Sequence, residues 1–443
     1  MILPEIEKAE ELGSFLRVFE PEPLKGNLLS KFYYDKTMAS RTGDPYESPM
    51  NILFEECTTP GITNAHLLLG HGGCGKSAEL QHLKQRFEKV EQPVWMVDFE
   101  KDMDVFQANC WDIMLGIAEG LCSIAAENNI KGLDGVLGQV SEYLKADREV
   151  SNETERVSGA GASVGAEAKT PSILRGVLNL FATLKFELKA NTTTRTIVKE
   201  KMERRASEWL NYINIISDSI TSKLNGKQPV IIFENVDKIQ PPARAMEIFH
   251  YRALAQIPFP VIYTFPISLS YDSQFTLIEG FYKPHILPMI KVRNIDKTEN
   301  DEGIIAIRDI IELRANPALF EEKALKLLIM QTGGELKGLF RCIISSAHRA
   351  DRRKAEKIEI EDVNRALSGM KSDLTRRISL PDYQMLANIY NDPKYKEQIE
   401  DKQFILKQMQ ALVVLEYNGD RWHGLHPLIA EFLKKQEYIH DSN

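Results

Sequence analysis

Eight consecutive residues carry the strongest chemical signal in the chain: Gly70-His71-Gly72-Gly73-Cys74-Gly75-Lys76-Ser77. They fit G-x-x-x-x-G-K-[ST] at every fixed position, between the apolar run His66-Leu67-Leu68-Leu69 and a helical pattern from Ser77 to Lys89. Glycines in such a loop let backbone N–H groups point inward around phosphate oxygens, and the following helix N-terminus adds partial positive charge. Lys76 is placed to reach β- and γ-phosphates, and the Ser77 hydroxyl to ligate Mg²⁺. The expected contacts of ATP or ADP are therefore Gly70, Gly72, Gly73, Cys74, Gly75, Lys76, Ser77 and Ala78.

A phosphate loop needs a partner acid at the end of another buried strand. Ile231-Ile232-Phe233-Glu234-Asn235-Val236-Asp237 supplies one, 158 residues beyond Lys76. Glu234 is the candidate to hold Mg²⁺ through water, and Asp237 to orient the attacking water or complete the metal shell. The plainer alternative is that both acids only polarise a strand-to-helix turn. Thr264, ending a neighbouring apolar run, has a hydroxyl placed to sense the γ-phosphate.

The elements that must position these groups read as alternating strands and helices. Val94–Val97, Pro229–Phe233, Pro260–Phe265 and His285–Val292 are further short buried-strand runs, and residues 105–127 fit a helix. That alternation implies an α/β fold with a parallel sheet covered on both faces. Residues 1–50 read as a lead-in, and about 130–200 as an insertion. Within the insertion, 158–166 is Gly/Ala-rich and low in complexity. After it, Leu180, Ala182, Leu184, Phe186 and Leu188 alternate with polar residues, predicting a strand that Ala190-Asn191-Thr192 turns into a hairpin. Trp209, Ile213, Ile216, Ile220 and Leu224 then form one helical stripe. From Asn300 the chain turns helical, with segments at 301–314, 320–331, 334–349 and 361–369. The tail has helices near 381–390 and 401–411, then an Asn418-Gly419 turn between apolar runs, a hairpin signal. Helices plus a terminal hairpin predict a winged helix.

Composition bounds the rest. With 443 residues, two or three domains are expected, and 43% hydrophobic with 27% charged residues places the chain among globular proteins. No stretch approaches 18 consecutive apolar residues and the N-terminus has no basic-then-apolar signal, so neither a membrane span nor secretion is expected. The five cysteines are scattered without a CxxC, which suits reduced thiols in a cytoplasmic protein and favours neither disulfides nor a cysteine zinc site. A net charge of −8 argues against non-specific coating of nucleic acid.

Taken together, the glycine loop, the acidic strand end, the Thr264 strand, the helical region and the tail resemble AAA+ and STAND ATPases over roughly residues 50–440. Within that clade the chain is similar to prokaryotic ATPases allied to origin-recognition proteins and to nucleotide switches of immunity. The resemblance implies a P-loop core over 1–295 with the insertion, a helical lid over 296–370 and a winged-helix domain over 371–443. It also implies a second sensor in Gly333–Arg341, with Lys337 the positional match and Arg341 in reserve. Leu425-His426-Pro427-Leu428 is similar to the Met-His-Asp segment of plant disease-resistance ATPases, whose His contacts the β-phosphate of ADP; His426 is the matching position, and Pro427 replaces the Asp.

Three departures point to slow hydrolysis. Glu234 replaces the usual Asp, Asn235 stands where the family places a catalytic Glu, and Gln274–His285 offers only Lys283 as a trans-acting cation, with Arg244 and Arg252 as weak substitutes. Slow turnover suits a regulatory switch acting on a protein partner or effector, in prokaryotic defence for example. Little chain remains after the wing, so output is expected in a partner or through homo-oligomerisation. The alternative is a DNA-binding AAA+ ATPase. Residues 371–443 hold 10 basic and 11 acidic residues, which disfavours it, whereas 341–357 hold six basic and two acidic. Membrane contact by the insertion is not favoured.

Overall fold

The computed structural model describes residues 6–44, 46–59, 64–149, 172–190, 196, 200, 202–394, 402–417 and 421–440. Five short apolar runs form one parallel sheet: β1 (Ala65–Gly70), β2 (Val94–Asp98), β3 (Val230–Glu234), β4 (Val261–Pro266) and β5 (Lys283–Ile286), in the order β2-β3-β4-β1-β5. β1, β3 and most of β4 are buried along their length, as a sheet covered on both faces requires. Register sets the functional edge: Asp98 pairs with Glu234 and Gly70 with Pro266, so the carboxyl ends of four strands open on the same side. In open α/β sheets that edge is where ligands bind. The run expected as a strand through Val292 pairs only over Lys283–Ile286.

One face is covered by the helix Cys110–Glu127, which approaches closely because Gly120 lacks a side chain. A Cβ there would meet Ile231 at 2.8 Å and Trp95 at 2.9 Å. The insertion packs on this helix. Residues 180–188 are not a strand but part of the helix Ser172–Ala190. Alternation over five residues competes with a longer stripe, Leu174, Val177, Phe181, Leu184 and Leu188, which is the buried face. Phe186, expected to point inward, is exposed, and Lys185 instead reaches Glu119 and Asp102. The low-complexity stretch 158–166 and the proposed turn at Asn191-Thr192 lie outside the described residues.

Residues 1–50 are likewise more than a lead-in. Short helices at Phe15–Phe19, Asn27–Phe32 and Met38–Thr42 precede the helix Pro49–Thr58. Phe15 and Phe19 pack against Phe320 and Phe340, each pair with ring centroids 5.5 Å apart. Ala9 bridges Ala315. The N-terminal segment is thereby fastened to the helical region, formed by Asp301–Glu312, Glu322–Gln331, Leu336–Arg352 and Ile360–Thr375. Helices Asp382–Asn391 and Lys402–Gln410 follow, then β6 (Val414–Tyr417) and β7 (Trp422–Leu425), paired antiparallel, and the helix Pro427–Lys435. The hairpin forms as expected, although its turn, Asn418–Asp420, lies outside the described residues. Among the described residues no helix is long and apolar enough to cross a membrane.

Candidate nucleotide site

The glycine loop joins β1 to the helix Lys76–Lys89. Gly73 and Gly75 take positive φ values of 80° and 104°, a backbone region costly for residues with a Cβ. A Cβ on Gly73 would also strike the buried Glu335 carboxylate. Lys76 is buried, and its ammonium has three partners: the carbonyls of Gly70 at 2.8 Å and His71 at 3.0 Å, and Asp237 at 3.0 Å. Burial, the largest single influence, opposes its charge, but Asp237 and Cys74 together hold the Lys76 pKa above its ordinary value. Burial likewise opposes ionisation of Asp237, and Lys76, with Thr264 and Lys238, holds that carboxyl below the usual range. The two expected residues are thus brought into one ion pair at the loop.

Glu234 ends β3 with both carboxylate oxygens buried and, among the described residues, with no hydrogen bond of full geometry, the Ser77 hydroxyl being its neighbour. Burial pushes its pKa up; the Ser77 hydroxyl beside it pulls the other way, and Asp98 adds to the rise. A buried acid left without donors next to a serine hydroxyl is costly unless a cation joins it. The pair therefore fits Mg²⁺, which would supply charge neutralisation for a bound polyphosphate. Asn235 takes a left-handed φ of 66° and donates to Asp98 at 2.8 Å, so it is committed to the end of β2. Thr264 lines the same cavity, but its hydroxyl accepts the backbone N–H groups of Val236 at 2.9 Å and Asp237 at 3.3 Å. It shapes the turn that presents Asp237.

Lys76, Ser77, Asn235, Asp237 and Thr264 line a cavity of about 740 Å³; Glu234, buried behind Ser77, and Cys74 are not part of its lining. Its lining combines polar groups, Gly72, Gly73, Lys76, Ser77 and Asp237 among them, with the apolar or aromatic side chains of Pro21, Pro23, Leu24, Phe32, Tyr33, Ile310 and Phe340. The wall from residues 21–41 was missed in the sequence, because nothing in its pattern marks a ligand surface. Arg41, also missed, is buried, lines the cavity and donates to the carbonyls of Cys74, at 2.9 Å, and Pro288, tying the loop to the segment after β5. Its neighbours Glu79 and Tyr33 are joined at 2.8 Å.

Lys337 lines the cavity, at the start of a helix whose Leu336 N–H donates to the Gly73 carbonyl at 3.0 Å. Arg341, one turn later, is exposed and is not part of the lining. His426 is not part of it either. Fully buried, it accepts the Leu428 N–H at 3.3 Å and caps the last helix. His426 therefore serves as a helix cap in this structure, outside the cavity lining.

The C-terminal segment meets the loop elsewhere. His71 Nε2 accepts the Glu416 N–H at 2.8 Å, while Met409 and Leu412 line the cavity. The Glu416 carboxylate is hydrogen-bonded by Tyr271, which follows β4 and also contacts His423 at 3.1 Å.

No family model and no curated protein matches the sequence. Among solved structures, the chain is similar to the Walker-type ATPase PABY2304 of Pyrococcus abyssi, with TM-score 0.43, 12% identity, and 94% of this chain and 99% of that one covered. It is also similar to the ORC2 protein of Aeropyrum pernix in ADPNP–ADP complexes, with TM-score 0.41, 10% identity and coverage of 95% and 98%. Cdc6p from Pyrobaculum aerophilum gives TM-score 0.38 at 11% identity, with 95% and 98% covered. At these scores function rests on this chain's own residues: a parallel α/β sheet with a phosphate-binding loop at its open edge.

Proposed function

We propose that the chain binds Mg-ATP and ADP, hydrolyses ATP slowly, and uses the nucleotide state to control how its C-terminal segment docks on the loop. In this reading 1–295 is the nucleotide core, 296–370 a helical lid and 371–443 a winged-helix domain. The supporting observation is that one cavity is lined by the loop, the lid residue Lys337 and the C-terminal residues Met409 and Leu412. A polyphosphate lies on the loop N–H groups and Lys76, and the base against Tyr33, Phe32 and Phe340. Ser77 and Glu234 hold Mg²⁺.

Slow turnover fits polar and cationic groups that are already committed elsewhere. Asn235 bonds Asp98, Lys283 pairs with Glu56, Arg252 stacks on Phe281 with 4.8 Å to the ring centre, and Arg244 donates to the Phe106 carbonyl. The switch acts on a protein partner or effector, with prokaryotic defence one setting and homo-oligomerisation one means. The test is binding of ADP and a non-hydrolysable ATP analogue to the full chain, with native mass measured in each state. No binding would remove the reading, and binding without change in mass or docking would remove the switch.

A second reading, a DNA-binding ATPase, is favoured by exposed Arg341, Arg352, Lys354 and Lys357. Within the same stretch, Arg349 and Arg353 are ion-paired to Asp362, and Arg353 also to Glu359. Duplex DNA titration across a salt series separates the two readings: affinity falling steeply with salt supports DNA binding, and no binding at low salt excludes it.

A further inference from the structure

Behind the phosphate loop, on the face covered by the helix Pro49–Thr58, three buried side chains converge. His66 stands on β1. His285 stands on the edge strand β5 opposite Leu68, which makes the two histidines diagonal neighbours on one face. His66 Nδ1 lies 3.2 Å from His285 Nε2, and Glu56 Oε2 lies 3.6 Å and 3.5 Å from those two nitrogens. The other Glu56 oxygen is paired with Lys283. That pairing leaves Oε2 buried and, among the described residues, without a hydrogen-bond partner.

Zinc bound tetrahedrally at about 2.0–2.1 Å holds its N and O donors roughly 3.3 Å apart. The three separations here bracket that spacing. We propose that Glu56, His66 and His285 bind one zinc ion, with a water completing the fourth position. Two imidazoles and one carboxylate are donors that suit a borderline ion such as zinc, whereas Mg²⁺ and Ca²⁺ prefer all-oxygen shells. Lys283 is the outer partner that orients the carboxylate. None of the five cysteines takes part, and no ligand of this site lines the nucleotide cavity. Among the described residues this is the one cluster with metal-ligand geometry.

The ion would join helix Pro49–Thr58 and edge strand β5 to β1, whose last residue, Gly70, opens the phosphate loop. Leu287, just past β5, donates its N–H to the Leu69 carbonyl at 2.8 Å, and its own carbonyl would lie 2.9 Å from a Cβ on Gly70. The metal thus steadies the strand that carries the loop without touching nucleotide. The competing account of the same contacts is a neutral imidazole–imidazole hydrogen bond, which needs no metal.

The test uses the tag-free full chain, stripped with a chelator and free of nucleotide and Mg²⁺. Zinc is titrated against a chromophoric competitor, and cobalt is substituted to report coordination through its visible absorption. The expected result is one zinc per chain and a tetrahedral cobalt spectrum. Glu56→Gln and His285→Asn should each weaken zinc at least about tenfold, the loss that removal of even an outer partner can cause. Circular dichroism of each metal-free variant checks that it is folded. Failure of the wild-type chain to bind stoichiometric zinc, or wild-type affinity in both folded variants, overturns the proposal.

Discussion

His71 Nε2 accepts the backbone N–H of Glu416 at 2.8 Å, so a residue inside the phosphate loop is bonded to the first strand of the C-terminal hairpin. The ring must be neutral at Nε2 to do this. Burial first, then Lys76 and His423, hold its pKa down at about 3, while the Met409 backbone pulls slightly upward. The unfolded chain, at about 6.5, takes up its proton first as pH falls. Stability is therefore full above about pH 6.5 and declines below it, by about 2 kcal/mol at pH 5 for this one group. His71→Ala should cost about 1–3 kcal/mol at pH 7 by stranding a buried N–H. It should also flatten the fall in thermal midpoint between pH 7 and 5, and expose residues near 410–425 to limited proteolysis.

Lys76→Ala is expected to abolish ATP and ADP binding in an equilibrium titration. It should also destabilise the fold by about 3–5 kcal/mol, because Asp237 is left charged and unpaired. Lys76→Met with Asp237→Asn removes both charges. Chemical denaturation should show most of the stability returned, with binding still absent. Recovery of binding in that double variant would place the phosphate elsewhere.

Glu234→Gln separates function from stability. Replacing an uncompensated buried carboxylate with a neutral amide should leave the thermal midpoint equal or higher. Calorimetric titration with and without Mg²⁺ should show that Mg²⁺ no longer strengthens ATP binding, while ADP without Mg²⁺ binds as before. A preserved Mg²⁺ effect would take Glu234 out of the metal site.

His426→Ala is expected to lower stability by about 1 kcal/mol or more through loss of a helix cap. The rate of ADP release should be unchanged, since the ring lies outside the cavity lining. Stopped-flow release from a fluorescent ADP decides this; faster release would restore His426 to the nucleotide site.

The glycine loop, the place of Glu234 at the end of β3 and four of the five strands were legible because each depends on local pattern: fixed glycine spacing or a short apolar run; the fifth strand lies earlier than the expected His285–Val292. Most helices after Asn300 were legible for the same reason. What escaped depends on contacts distant in sequence. Arg41 reads as one more basic residue until the chain brings it to the Cys74 carbonyl. His71 occupies a position the motif leaves free, and only the tertiary packing of residues 345 apart in sequence gives it Glu416 as partner. The misread strand at 180–188 shows a different limit. Its alternation was real, but five residues of period two were outweighed by a longer helical stripe that began at Leu174. His426 shows a third: a motif match places a side chain in sequence and says nothing of which way it faces.

In the proposed switch, nucleotide state reaches the C-terminal segment through the loop, and the Glu416 amide reports it directly. In the proposed switch, a bound triphosphate would draw Lys76 away from the Gly70 and His71 carbonyls and Asp237, and so would shift the residue that holds Glu416. Hydrogen exchange of that amide should be slow with ADP. With a non-hydrolysable ATP analogue and Mg²⁺ it should be at least about tenfold faster, a difference of roughly 1.4 kcal/mol in opening free energy. Equal protection in the two states, in a chain shown to bind both nucleotides, would contradict the account.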